Sequence, residues 1–372
     1  MSTTSQHRIR TAKRAFTTRC VDLAGATGLT ATATPRAGDL VLARVGGLGQ
    51  HRRLECPRGR RQSLFVGDEV VVAYGHRYAP DQFEASVPGD LGPCHLVAAG
   101  GVAARVDAAH AAMAPATTLE PVGLLTGAAG RVLNLADHPD ELLTAPAGGG
   151  GDPVVLAVTG AAMNSGKTTA AAALVRGLVA AGLRVGAAKV TGTGAGGDLW
   201  LLEDSGARPV LDFTSAGLPT TFRADAATVL RTFTGLLDAV AGQGVDVVVV
   251  EVADGVFQTE TAGLLRTPEF ARRVDGVLFA APDALAAVAG LEWLRRNDLP
   301  VVALTGLVTA SPLATREAEA ATGHRSWGPA RLSDPVQALT LLAGVLPGVQ
   351  SGVLPGVPAQ AGAPRASLAP LG

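Results

Sequence analysis

Thr159-Gly160-Ala161-Ala162-Met163-Asn164-Ser165-Gly166-Lys167-Thr168-Thr169 reads as the end of a strand, a glycine-bounded turn and the start of a helix. Before it, 154–158 is an unbroken apolar run that makes 154–159 a strand; after it, 168–181 is rich in alanine and leucine at helical length. A buried strand turning into a helix aims the N–H groups of the turn and of the first helical turn at one point, which together with the helix dipole makes an anion site. Gly166 lets the backbone approach a phosphate closely. Lys167 supplies an ammonium for the β- and γ-phosphates, and the Thr168 hydroxyl is a magnesium ligand. Gly160, Asn164, Ser165 and Thr169 complete the expected cradle. A glycine-rich turn without a ligand would leave a lysine at a buried helix start for no reason.

Downstream, apolar strands at 184–190, 209–213, 245–252, 276–280 and 300–304 alternate with helices at 226–241 and 284–296. Strands this apolar are buried on both faces, so the expected fold is α/β, a mainly parallel sheet covered by helices on both sides. Glu251 closes a run of valines, where a carboxylate needs a metal or a bound water. Asp198, after Gly196-Gly197, is either a second acidic magnesium contact or a solvated loop aspartate. Lys189 ends a strand at the carboxyl edge, where ligands of open α/β sheets bind. There it meets a substrate carboxylate, the γ-phosphate, or simply a surface acid. Asp254 and Asp212 end strands on the same edge and are further candidates.

Upstream the pattern changes. Short β-rich runs at 39–45, 64–65, 69–74 and 95–98, punctuated by Gly38-Asp39 and Gly67-Asp68, read as a small β-barrel or sandwich. A helical stretch is expected at 108–113 and a hairpin at 122–135. The division is then a basic tail 1–37, a β-rich domain 38–146, a glycine linker 147–152, a phosphate-loop domain 153–346 and a disordered tail 347–372. Residues 1–61 carry twelve Arg or Lys against three Asp or Glu, read as solvated charge with no apolar run of a secretory signal.

A length of 372 residues fits two cores. The net charge of −1 gives no global pull towards nucleic acid or membrane. The Arg52, Arg53, Arg58, Arg60, Arg61 cluster has little aromatic interleaving, so it reads as a solvated loop rather than a nucleic-acid face. Cys20, Cys56 and Cys94 are three and far apart, which argues against disulfides; a metal site with His51 and His95 is also disfavoured. No apolar run is of spanning length, so a cytoplasmic protein is expected. Of 31 basic residues only Lys13, Lys167 and Lys189 are lysine. A chain so biased towards arginine keeps lysine where a compact ammonium is required.

The five residues between Gly160 and Gly166 resemble the G-x5-G-K-T loop of dethiobiotin synthetase and its relatives. Lys189-Val190-Thr191-Gly192-Thr193-Gly194 is similar to that family's second strand and its Thr/Gly-rich continuation, and Glu251-Val252-Ala253-Asp254-Gly255 to its magnesium-binding strand end. The resemblance covers about 153–310 and implies ATP (or GTP) with Mg2+, a small-molecule acceptor and a homodimer. Three departures limit it. Leu304-Thr305-Gly306 lacks the family's base-reading asparagine, so ATP over GTP is unsupported. No cysteine follows Cys94, which removes a glutamine-hydrolysing activity. Ala162 stands where partition and cell-division ATPases carry a second lysine.

The expected function is an ATP-dependent ligase or synthase that phosphorylates a small carboxylate or carbamate, with Lys167, Lys189 and Glu251 catalytic and Thr168, Glu251 and Asp198 around the metal. The alternative is a regulatory NTPase in which the front β-domain reads the nucleotide state to a protein partner through the 191–197 loop.

Overall fold

The structure, a computed structural model, describes residues 3–145 and 152–345. The expected glycine linker, apart from Asp152, and the tail 347–372 lie outside the described residues.

The front half is a barrel. Leu40–Gly47 pairs with Glu69–Tyr74, which pairs in parallel with Val102–Ala109; that strand pairs with Cys94–Ala98, then Thr117–Thr126, which returns to Leu40–Gly47. Alternation sorts the side chains. Val41, Ala43, Val45, Val70, Val72, Leu96 and Leu119 fill one core, while Leu40, Leu42, Val71, Ala73 and Leu125 belong to a second one on the other face.

That second face corrects the expectation of a solvated tail over 1–37. Thr3–Thr11 is helical and Lys13–Arg14 pairs with Glu69–Tyr74. Ile9, Val21 and Ala26 cover the outward apolar residues of the barrel, because strands apolar on both faces must be covered on both. Two of its cations pair with acids of the barrel, Arg8 with Glu69 and Lys13 with Asp68.

Two further expectations fail for local reasons. Residues 108–113 are not helical: Ala108 and Ala109 continue a strand against Glu84 and Phe83, so ladder pairing overrides alanine's helix preference. Residues 64–65 are not a strand but lead into a turn in which the Phe65 N–H donates to the Asp68 carboxylate at 2.8 Å. At 122–135 the hairpin is reduced to the strand end and one bridge, Thr126 to Val132. Exposed Arg58 and Arg60 lie between the paired strands Arg53–Glu55 and Arg61–Ser63.

The second half is a six-stranded parallel sheet of β1 (Val154–Gly160), β2 (Val185–Lys189), β3 (Val210–Asp212), β4 (Val247–Glu251), β5 (Gly276–Ala280) and β6 (Val301–Thr305), in the order β3-β2-β4-β1-β5-β6. Alternate residues serve opposite faces. Val155, Ala157, Val248 and Val250 pack with Val229, Phe233 and Leu236 of α3 (Ala226–Ala241). Leu156, Val158, Val247 and Val249 pack with Ala170, Leu174 and Leu178 of α1 (Lys167–Ala180). The short helix α2 (Gly197–Asp204) follows β2.

The halves meet over the glycine-rich segment after β2. The Gly196 N–H donates to buried Glu55 of the barrel at 2.7 Å, and Phe16 meets Trp200 edge-on with ring centroids 6.3 Å apart. A Cβ on Gly100 would stand 2.1 Å from the Gly194 carbonyl oxygen, so only glycine allows this approach.

Candidate functional site

Strand register assembles the site. Lys189 is paired with Glu251, and Glu251 with Val158, so the last residues of β2 and β4 stand side by side at the carboxyl edge next to the turn that follows β1. The turn ends at Gly166, whose φ of +96° is in the left-handed region and which caps α1 without a side-chain hydrogen bond. The first N–H groups of α1 therefore point towards the same edge, with the positive end of the helix dipole behind them.

Lys167 is 5% exposed and donates from Nζ to the Ala162 carbonyl at 2.7 Å. Burial lowers its pKa, and the charges of Glu251 and Asp254 work against that. Thr168 Oγ1 donates to Glu251 Oε1 at 3.0 Å. Lys189 Nζ lies 3.5 Å from the same Oε1 and pairs directly with Asp198. Burial opposes charge on Lys189, but Glu251 and Asp198 outweigh it and hold its pKa above the ordinary value. Burial pushes Glu251 up, against Lys189 and Lys167. Its second oxygen, Oε2, is buried with no hydrogen-bond partner among the described residues.

A cavity of about 420 Å³ opens over this row and is lined by Asn164, Gly166, Lys167, Thr168, Thr169, Lys189, Asp198, Glu251 and Asp254. Gly160 and Ser165 do not line it; they shape the turn from behind. A Cβ on Gly160 would lie 2.5 Å from Ser165 Oγ and 2.7 Å from the Ala280 carbonyl oxygen. Asp198 reaches the cavity from the first turn of α2, committed to Lys189. Asp254 adopts a left-handed φ of +64° and is buried, which raises its pKa. Asp212 is drawn away: it accepts from Arg19 at 3.0 Å and from the Thr214 N–H at 2.9 Å.

Two lining residues come from the barrel, Arg77 and Tyr78. No motif or periodicity marks them, and their distance along the chain hides them from sequence reading. The wall near Leu307 was also missed; its N–H donates to the Ser165 carbonyl at 3.0 Å.

The donor set fits magnesium. An acceptor oxygen buried without a partner beside a threonine hydroxyl is what a hydrated hard cation uses when phosphates supply the remaining ligands. Among the described residues no group of three His, Cys, Asp or Glu side chains is arranged to hold a metal without such help. No described helix is long and apolar enough to cross a membrane.

The second half thus has the α/β architecture of a P-loop NTPase domain, with a β-barrel in front. No protein-family model and no curated protein sequence matches the chain. Among solved structures it is similar to the signal recognition particle 54 kDa protein of Aeropyrum pernix K1 in complex with GDP, at 20% identity over 52% of this chain and 49% of that one, with a TM-score of 0.35. It is also similar to the cell division protein ftsY of Thermotoga maritima, at 19% over 54% and 73%, with a TM-score of 0.33. A third is the kinase domain of Escherichia coli tyrosine kinase ETK, at 15% over 40% and 65%, with a TM-score of 0.31. The chain spans about half the length of the first of these. Overlap this partial leaves the chemistry of the site to its own geometry.

Proposed function

We propose that this chain binds ATP or GTP with magnesium and transfers the γ-phosphoryl group to a small carboxylate or carbamate, as a ligase or synthase related to dethiobiotin synthetase. The observation that carries the reading is the Thr168–Glu251–Lys189 row beside the buried Lys167: hydroxyl, carboxylate and two ammonium groups converging on one cavity. The turn amides and Lys167 hold the β- and γ-phosphates, while Thr168 and Glu251 hold the metal, which neutralises charge between those phosphates when bound. Asp198 keeps Lys189 aimed into the cavity, where it orients the acceptor or meets charge on the transferred group.

An acceptor oxygen attacks the γ-phosphorus and the bond to the β–γ bridging oxygen breaks, with its electron pair leaving on the nucleoside diphosphate. An amine then attacks the resulting acyl phosphate and inorganic phosphate departs. Magnesium-dependent stabilisation by nucleotides, followed by a screen of amino and carboxylic acids on the loaded protein, tests this. Absence of affinity for any triphosphate would remove the reading.

One feature favours the regulatory alternative. The 191–197 segment touches both the cavity, through Gly192 and Thr193, and the barrel, through the Gly196 N–H on Glu55. A nucleotide-dependent shift there would reach the barrel directly. Turnover stimulated by a protein partner and not by any small acceptor selects this reading.

A further inference from the structure

The barrel contributes a wall to the cavity that neither proposed function requires. Arg77–Tyr78 and Phe83–Ser86 form a short hairpin with Arg77 opposite Ala85. Polar contacts tie the hairpin to the second half at two points. Asp81, between its strands, accepts from Asn164 Nδ2 of the phosphate turn at 2.8 Å. Arg223 reaches back with Nη1 to Ser86 Oγ at 2.7 Å and with Nη2 to Glu84 at 3.5 Å.

Arg77 itself has unspent donors. Its bond from Nη2 to Gln82 Oε1 is long, 3.4 Å, and its Nε is buried with no partner among the described residues. Burial pushes the guanidinium down to about 10, against the charges of Asp254 and Asp81. Both carboxylates are near enough to act on its charge: Asp81 holds the turn at Asn164, and Asp254 follows the end of β4. Arg77 shares the cavity wall with Asn164 and Lys167 of the phosphate turn and with Glu251 and Asp254, the groups a terminal phosphate would meet once the turn amides hold the inner phosphates.

We infer that Arg77 contacts the γ-phosphoryl group during its transfer, so that the barrel supplies an arginine to the nucleotide site of its own chain. The inference rests on the proposed nucleotide binding. A planar fork binds two equatorial oxygens at once, where charge spreads as the bridging bond breaks, and a lysine does not reproduce that geometry. It also gives the barrel a function in the reaction: the Asn164–Asp81 bond sets the hairpin, and the hairpin sets Arg77.

The test compares full-length wild type with Arg77→Ala and Arg77→Lys in three measurements. These are magnesium-dependent binding of ATP and GTP, binding of the matching diphosphate with aluminium fluoride as a mimic of the transferring group, and nucleotide turnover. In both variants, triphosphate affinity is expected within about 10-fold of wild type, while aluminium fluoride binding and turnover fall by about 100-fold or more. Thermal unfolding of both variants, with Arg77→Lys keeping the side-chain length, separates loss of the site from loss of the fold. A wild type that binds nucleotide alongside an Arg77→Ala chain with unchanged fluoride binding and turnover overturns this inference alone. Equal losses in triphosphate and fluoride binding overturn it too, by moving Arg77 to ground-state binding. A wild type without magnesium-dependent affinity overturns the nucleotide reading and this with it.

Discussion

The Thr168 hydroxyl donates to Glu251 Oε1 at 3.0 Å, joining the first turn of α1 to the last residue of β4. Both groups are oxygen donors for a hard cation, and neither has a packing reason to meet the other. Replacing Thr168 by Ala is expected to raise the magnesium concentration needed for half-maximal turnover by about 10- to 100-fold. A magnesium titration of turnover checks it, and an unchanged midpoint removes Thr168 from the metal site.

Lys189 compensates two carboxylates in a buried setting, Asp198 and Glu251. Removing it in Lys189→Met leaves buried Glu251 with only the more distant charge of Lys167 against it, a loss of about 3 kcal/mol in a metal-free buffer. Adding Glu251→Gln to that variant removes the uncompensated charge and is expected to recover a large part of the loss. Urea denaturation of the two single variants and the double variant measures the coupling. Strict additivity would show that the pair is not energetically linked.

The sequence announced the strand, turn and helix around Lys167 because all three signals are contiguous along the chain, within 154–181. It also placed Lys189 and Glu251 at strand ends. What it could not supply was register: the two are 62 positions apart, and only the β2–β4 pairing puts them side by side. Asp198 was readable as a metal contact or a solvated aspartate, and the structure gives it a third environment, on Lys189. The N-terminal segment was misread because its apolar residues are sparse and their partners are the outer faces of strands far along the chain. Arg77 left no trace in the sequence, since its place in the cavity wall depends on the packing of barrel against sheet.

Gly306 joins the end of β6 to the phosphate turn. Its φ is +93°, and an added Cβ would lie 2.4 Å from the Ser165 carbonyl oxygen and 2.8 Å from the Ala281 nitrogen. Both neighbours are backbone, so neither can swing aside. Gly306→Ala is expected to lose about 2 kcal/mol or more of stability and to weaken nucleotide binding by displacing Ser165. Denaturant melts with nucleotide titration test it; wild-type values in both would mean the turn tolerates the shift.

Arg19 binds the barrel side to the sheet. It donates to Asp212 at 3.0 Å and to Ser215 Oγ at 2.9 Å, with only 14% and 3% of the Arg19 and Asp212 side chains exposed. Arg19→Ala removes the cation, but Asp212 keeps the N–H groups of Thr214 and Ser215. The loss should therefore be moderate, about 2 kcal/mol. Faster hydrogen exchange across 191–197 is expected as the interface loosens. Unaltered exchange there would mean that the glycine approach and the Phe16–Trp200 contact suffice.

His51 gives the barrel a sensitivity to acid. Its ring packs at 6.0 Å from Phe83 and its Nδ1 donates to the Leu96 carbonyl at 3.2 Å. Burial, helped by the charge of Arg77, pushes its pKa from 6.5 down to about 4. The unfolded chain therefore binds a proton there between those values and the folded chain does not, so stability is full above about pH 6.5 and falls as the pH drops towards 4. His76 and His95, also lowered chiefly by burial, act in the same direction. His51→Asn can still donate to the Leu96 carbonyl but cannot titrate. Its unfolding midpoint should decline less steeply than wild type between pH 6.5 and 4, with His76 and His95 accounting for part of what remains. Parallel slopes for the two proteins would mean that the His51 proton is not linked to folding.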